Sequence, residues 1–399
     1  MMRRDLGLIV TGVGISMFGA SLIRLVLMVQ LKDEGALVLA AAMIAWILPI
    51  AVGAPFAGLL VDTVPNRRLM QVAQVLQALS TLAIAFALDS VIVLLILVLL
   101  VGCGAAVSDP SAATLAPRAV GAGDVAKGFA WIATARSTGL VLGTGIGGVL
   151  IEIVGGRQAI LVGAATYIVQ ALLLLLLRVD RDPRAENGTT RREKGAAMAG
   201  IRHLKGDRVI VVSIGGLAIV ATCVTLINVA DVFLILDVLH GGPVLVGWVY
   251  AAWMVGQVLG ARTAGRFVHQ RSMVRTLSWA GVTLGLAIFM PAAFAYTAVI
   301  LVAFLFGGFA NGMQMVARQA LVRMRTPESL HGRAFAANDS VIRIAGVLGT
   351  LIGGFAVAGV GPQWAMGTAG VVAVLVGFGT LLMTREHKPA RVAETTRAG

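Results

Sequence analysis

GLLVDTVPNRR, residues 58–68, lies between two long apolar stretches, one ending near Leu60 and the next beginning at Leu69. A glycine, an aspartate, a proline and two arginines crowd this seam in a chain that is 58% hydrophobic and only 13% charged. A soluble domain of 399 residues needs far more charge than that to coat its surface. The apolar residues fall instead in runs of about twenty, the helix length that crosses a bilayer core of roughly 30 Å. The seam therefore reads as a polar turn between two membrane spans of an all-α polytopic membrane protein, whose mean hydropathy is +0.92.

Outward from that turn, the apolar pattern predicts twelve spans. The first six cover 7–31, 36–61, 69–88, 91–116, 126–153 and 158–177; the second six cover 209–237, 243–267, 274–296, 298–322, 334–358 and 363–383. The expected organisation is a six-helix bundle over 1–177, a polar linker over 178–208, a second bundle over 209–384 and a basic tail over 385–399. Within the linker, AGIRHLKGD reads either as a short amphipathic helix on the membrane face or as solvated chain. The basic start followed by an apolar run resembles a signal peptide, but that run continues to about Leu31, so a retained first helix is expected.

The net charge of +13 would suit a nucleic-acid partner if it formed one patch. It is instead distributed by side. Twenty-five of the 32 Lys and Arg fall in or beside the connections on the side of the termini. The opposite loops hold Lys32 and Arg157, and five arginines lie inside spans. The positive-inside bias puts both termini in the cytoplasm of a cell-membrane protein. The expected partners are then a small-molecule substrate and membrane lipid, with no nucleic acid and a functional monomer. Cys103 and Cys223 sit in apolar runs as small hydrophobes, and the five histidines lack metal-ligand spacing. No metal or organic cofactor is expected.

The chain also repeats itself. VLGTGIGG at 141–148 returns as VLGTLIGG at 347–354, GFA at 128–130 as AFA at 334–336, and GAPFAG at 53–58 as GARTAG at 260–265. A common offset near 206 marks a doubled six-span unit. Six is even, so both halves share one orientation, and parallel repeats of this kind hold a substrate site between them near the midplane.

On these residues the chain resembles the major facilitator superfamily. Gly58, Asp62, Arg67 and Arg68 match its signature loop, with Pro65 and Asn66 in place of the usual glycine region. LHGRAFA at 330–336 resembles the entry to its eleventh helix. SDPSAATLAP at 108–117 and GLVLGTGIGG at 139–148 resemble its drug:proton antiporter branch, which includes macrolide and siderophore exporters. The resemblance implies secondary transport by alternating access, with a proton gradient as the energy source. It also implies that Gly58, Asp62, Arg67 and Arg68 form a latch on the cytoplasmic side. Gly58 permits close helix approach, Asp62 can face a basic group or a helix N-terminus, and the two arginines sit in the headgroup zone. His269 replaces the aspartate in the second copy, where the latch should be weaker or absent. Antiporters of the superfamily usually carry proline where Thr144 stands, and many members of the branch carry an acid near Ala20, which this chain lacks.

Gly139, Gly143, Gly147 and Gly148, with Gly349, Gly353 and Gly354 in the second copy, have the spacing for tight helix packing. A charge in mid-span costs at least ~2.5 kcal/mol on insertion scales, so the embedded charges are the candidate site residues. Asp339 and Arg343, four apart, are expected to pair on one face of one helix. Asp109 reads either as latch or proton relay, or as a structural partner of Arg136. Arg24 and Asp231 occupy matching repeat positions. They read as an external gate, as a substrate-binding arginine with a separate acid, or as unrelated structural pairings. Asn228, Asn311 and Arg318 complete the candidate gate or substrate set, and Asp109 and Asp231 are the candidate coupling acids.

The leading expectation is proton-coupled efflux of an amphipathic small molecule such as a drug, siderophore or secondary metabolite. The alternative is import or facilitated passage of a small anionic or zwitterionic metabolite. A membrane enzyme is remote: no nucleophile–base set or phosphate-binding loop supports it.

Overall fold

A computed structural model describes residues 2–120, 125–180, 208–267, 273–327 and 330–385. His269, the stretch AGIRHLKGD, most of the linker and nearly all of the tail lie outside the described residues. Among the described residues eleven helices are long and apolar enough to cross a membrane, and a bent pair, taken as one span, makes twelve. Spans one to six are Met2–Gln30, the pair Ala36–Val52 and Ala54–Thr63, Asn66–Phe86, Val91–Val120, Val125–Val154 and Gly156–Leu175. Spans seven to twelve are Arg208–Val238, Pro243–Phe267, Met273–Ala293, Thr297–Arg325, His331–Val360 and Pro362–Arg385.

Span two differs from the single helix expected over 36–61. It bends by 55° between its two parts. Gly53 ends the first part with its N–H on the Pro49 carbonyl at 2.8 Å, and Pro55, which has no N–H to donate, opens the second. Span seven ends in a wide π-type turn over Leu234–Val238, where the Leu239 N–H reaches back to the Leu234 carbonyl at 2.9 Å.

The duplication is visible in the backbone. Gly155 enters span six with φ +87° and ψ 163°. Gly361, 206 positions later, enters span twelve with φ +82° and ψ 166°. Only glycine takes this conformation without strain.

Spans one, five and six pack together in the first half, and spans seven, eleven and twelve in the second. Span five meets span eight and span two meets span eleven across the halves. Leu22, Ile23, Leu25, Val229 and Val232 are buried between these helices. Ile92, Ile153, Phe355 and Leu375 cover the outer surface, where lipid tails act as solvent. Below, the near end of the bundle carries the 62–68 turn, and the far end carries Lys32, Gly155 and Gly361.

Candidate substrate cavity and coupling site

Gly58 and Asp62 stand on the second part of span two, with Asp62 exposed in its last turn. Arg67 ties the turn to span six. Its Nε donates to the Leu174 carbonyl at 3.0 Å and its Nη2 to the Leu175 carbonyl at 2.7 Å. These are orphan carbonyls at the end of span six, where the helix dipole favours a cation. The Arg67 N–H also donates to the Asp180 carboxylate at 2.9 Å. Arg68 is exposed.

A cavity opens between the halves, lined by Ser21, Arg24, Leu25 and Met28 of span one, Leu140 and Thr144 of span five, and Tyr250 and Met254 of span eight. Its volume is about 350 Å³ including its mouth. Arg24 is the one exposed residue in a run, Ser21 to Met28, that is otherwise buried. Among the described residues it has no ion pair or hydrogen bond, although Tyr250 and Tyr167 lie within electrostatic reach.

Asp231 sits behind the cavity wall and is fully buried. The Tyr250 hydroxyl donates to its Oδ1 at 2.9 Å, and its Oδ2 has no partner among the described residues. The ion pair considered for Arg24 and Asp231 is therefore not formed: no Arg24–Asp231 contact falls within 4.0 Å, and Tyr250 stands within reach of both. Matching repeat positions set equal depth, but the two side chains meet only if both turn toward the axis between the halves. Arg24 turns into the cavity, and Asp231 turns to Tyr250. Asn228 is half-buried on span seven, and Asn311 accepts from Gln257 at 2.7 Å, so neither lines the cavity.

The seam between the halves is closed at the far end by glycines. Gly139, Gly143 and Gly147 pack on span one, within the first half. Gly349 and Gly353 pack on span seven, within the second. The last glycine of each copy faces the other half: Gly148 lies on the Pro243 carbonyl of span eight, and Gly354 lies on Ala36 and Ala40 of span two. A side chain at either position has no room.

Lys32 closes the same end. Its Nζ reaches the Asp237 carboxylate at 2.6 Å, across the halves, and that of Asp33 at 3.3 Å. The Asp237 contact holds the Lys32 ammonium above its ordinary pKa against the cost of partial burial. The Asp237 side chain is 45% exposed, so screening limits the pair to about 1 kcal/mol or less. Asp237→Lys is expected to open the far end several-fold more often. A Thr144→Cys reporter, in a background without Cys103 and Cys223, should then react faster with an impermeant maleimide added from that side. Unchanged labelling would remove Lys32–Asp237 from the seam.

Two further ion pairs stiffen equivalent helices. Arg136 on span five holds Asp109 on span four with two hydrogen bonds, at 3.0 and 2.8 Å. Arg318 on span ten holds Asp339 on span eleven at 3.0 Å. This second contact corrects the expected Asp339–Arg343 pair: Arg318 reaches Asp339 from the neighbouring helix, and Arg343 is exposed. The copies thus bridge the same two helices with the charges reversed.

Tyr250 escaped the sequence reading. It is one of only three tyrosines, and a hydroxyl inside an apolar span has to find a partner. Lys32 and Asp237 escaped it too, although they differ by 205 in number and so obey the repeat spacing nearly as well as Arg24 and Asp231.

Comparison with known proteins agrees with this architecture. The sequence is 24% identical over 353 residues to the uncharacterized MFS-type transporter YfiS of Bacillus subtilis (strain 168), covering 85% of this chain and 83% of the relative. It is 28% identical over 321 residues to the multidrug efflux pump Tap of Mycolicibacterium fortuitum, covering 77% of each. The fold superposes on the nucleoside transporter NupG with a TM-score of 0.80 at 12% identity, covering 97% of this chain and 100% of that one. It superposes on the POT family transporter PepTSo with a TM-score of 0.76 at 11% identity, covering 96% and 98%. The profile of the Major Facilitator Superfamily matches residues 6–236 and 225–399. Paired six-span halves, a cavity between them and a profile match over almost the whole length place this multi-pass membrane protein, a transporter and not an enzyme, in the Major Facilitator Superfamily.

Proposed function

We propose that the protein exports an amphipathic small molecule from the cell by alternating access, driven by protons taken up at Asp231. The observation that carries this reading is the Asp231 carboxyl: fully buried, with one oxygen unpartnered among the described residues and the other hydrogen-bonded to Tyr250, which lines the cavity. An acid this deep in a membrane span is costly to ionise and so suits reversible protonation. Asp109 is the weaker coupling candidate because Arg136 already neutralises it. Efflux is supported by the likeness to a multidrug efflux pump. The basic near-end connections support cytoplasmic termini in the cell membrane. The far end is then external, and the described conformation is closed to the outside. In the opposite conformation Gly58, Asp62 and Arg68 would hold the cytoplasmic side shut, with Arg67 anchoring the turn to span six.

Everted vesicles acidified inside by respiration test the reading. Fluorescent amphipaths, whether neutral, cationic, anionic or amphoteric, should include at least one that accumulates only when the protein is present and is released by an uncoupler. Gradient-driven uptake into right-side-out vesicles instead would favour the second reading, import of a small anionic or zwitterionic metabolite. Arg24 in the cavity wall, unpaired among the described residues, is the observation on that side.

A further inference from the structure

We propose that the cavity takes an amphoteric molecule, with its acid group on Arg24, its basic nitrogen toward Tyr250 and Asp231, and its apolar body among Leu25, Met28, Leu140 and Met254. This rests on the proton-driven efflux reading and names the substrate class of the same site.

Arg24 comes first. A guanidinium carries five donors and always keeps its charge. Among the described residues none of the five is used, while the side chain is open to the cavity. Such a site repels a simple cation and favours a carboxylate or similar anion, which can accept two parallel hydrogen bonds.

The sign of the coupling then narrows the class. An anion bound at Arg24 cancels the positive charge that reaches Tyr250, the hydrogen-bond partner of Asp231. It also adds a negative charge beside the carboxyl, and so favours the protonated acid. Anion and proton would bind together, and by linkage each would strengthen the other. A substrate that is only an anion would therefore travel with the proton, inward. Exchange requires substrate and proton to compete. A basic nitrogen beside Tyr250 restores that competition, because a cation there favours ionised Asp231 and releases its proton. The remaining titratable group facing Arg24 is Tyr167, buried on span six. The Lys32–Asp237 pair lies beyond the cavity at the far end and is satisfied within itself.

The walls fit an apolar body without demanding one shape. Met28 and Met254 are unbranched and adapt their rotamers, as methionines do at permissive sites.

The test uses one fluorescent body with three heads, on the purified protein in nanodiscs. Nε-dansyl-lysine is amphoteric, dansyl-cadaverine is the same molecule without its carboxylate, and Nα-acetyl-Nε-dansyl-lysine lacks the cation. Dansyl-lysine should bind saturably and at least about tenfold more tightly than dansyl-cadaverine, the scale of a charge-assisted contact. Its affinity should rise with pH, and that of the acetylated probe should fall. Arg24→Gln should erase the preference for dansyl-lysine over dansyl-cadaverine, and Arg24→Lys should keep part of it. Asp231→Asn should flatten both pH dependences. The proposal is overturned if dansyl-cadaverine binds as tightly as dansyl-lysine to the unmodified protein, if the acetylated probe binds more tightly as pH rises, or if none of the three binds. Transport separates the two readings. Correct binding without gradient-driven accumulation in everted vesicles removes efflux and keeps the head-group assignment. Accumulation of dansyl-cadaverine alone keeps efflux and removes the assignment.

Discussion

Asp231→Asn is expected to abolish uphill transport while leaving downhill exchange of the same substrate. The amide keeps the size of the acid and its acceptor oxygen, so the Tyr250 hydroxyl retains the partner it now has at 2.9 Å. No ion pair is broken, because Asp231 has none among the described residues. What disappears is the ability to bind and release a proton in the membrane interior. A carrier without that step equilibrates its substrate across the membrane and no longer concentrates it. The measurement is a pair of assays on one vesicle preparation: respiration-driven accumulation, and counterflow with no gradient. Loss of the first with retention of the second is the expected result. Full accumulation by the asparagine variant would move coupling away from Asp231, and loss of both would assign it a structural role. Tyr250→Phe serves as the companion variant. It leaves the acid in place without its hydrogen bond, so accumulation should persist with a shifted pH profile.

Gly148→Val should lower transport by about tenfold or more, with normal amounts of protein in the membrane. The first added carbon would meet the carbonyl oxygen of Pro243 and, at 2.9 Å, the Cα of Val244. Both are backbone atoms, so no flexible side chain can yield. Overpacking of this kind costs about 1–3 kcal/mol. The strain exists only while spans five and eight touch at the far end. It therefore acts on the equilibrium between conformations, where that energy is roughly a 5- to 150-fold shift in population. The variant should rest with its far end open and label readily from that side at a cavity cysteine. Gly143→Val is the contrasting control. Its clash is with the Phe18 carbonyl inside the same half, where separating the halves gives no relief. That variant should lose abundance instead. Near-normal transport by Gly148→Val would mean that the far-end contact is not part of the working cycle.

Much of this protein follows from its sequence alone. Apolar runs of membrane length dictate the spans, because lipid leaves a chain little choice but to satisfy its backbone within helices. The repeat at an offset of 206 dictates two halves of like orientation, and GLLVDTVPNRR with VLGTGIGG carries the family likeness. In the structure the repeated glycines act alike: Gly143 and Gly349 pack inside their halves, and Gly148 and Gly354 pack between them. What the sequence left open was partner choice among the charges. Spacing of four made Arg343 the natural mate of Asp339, yet Arg318 takes it from the adjacent helix. Matching repeat numbers paired Arg24 with Asp231 and passed over Lys32 with Asp237, which do meet. A helical repeat fixes depth and face along one helix to within a residue or two. Which side chain fills the space between two helices depends on rotation, rotamer and a third residue such as Tyr250, and those are decided only when the helices are packed.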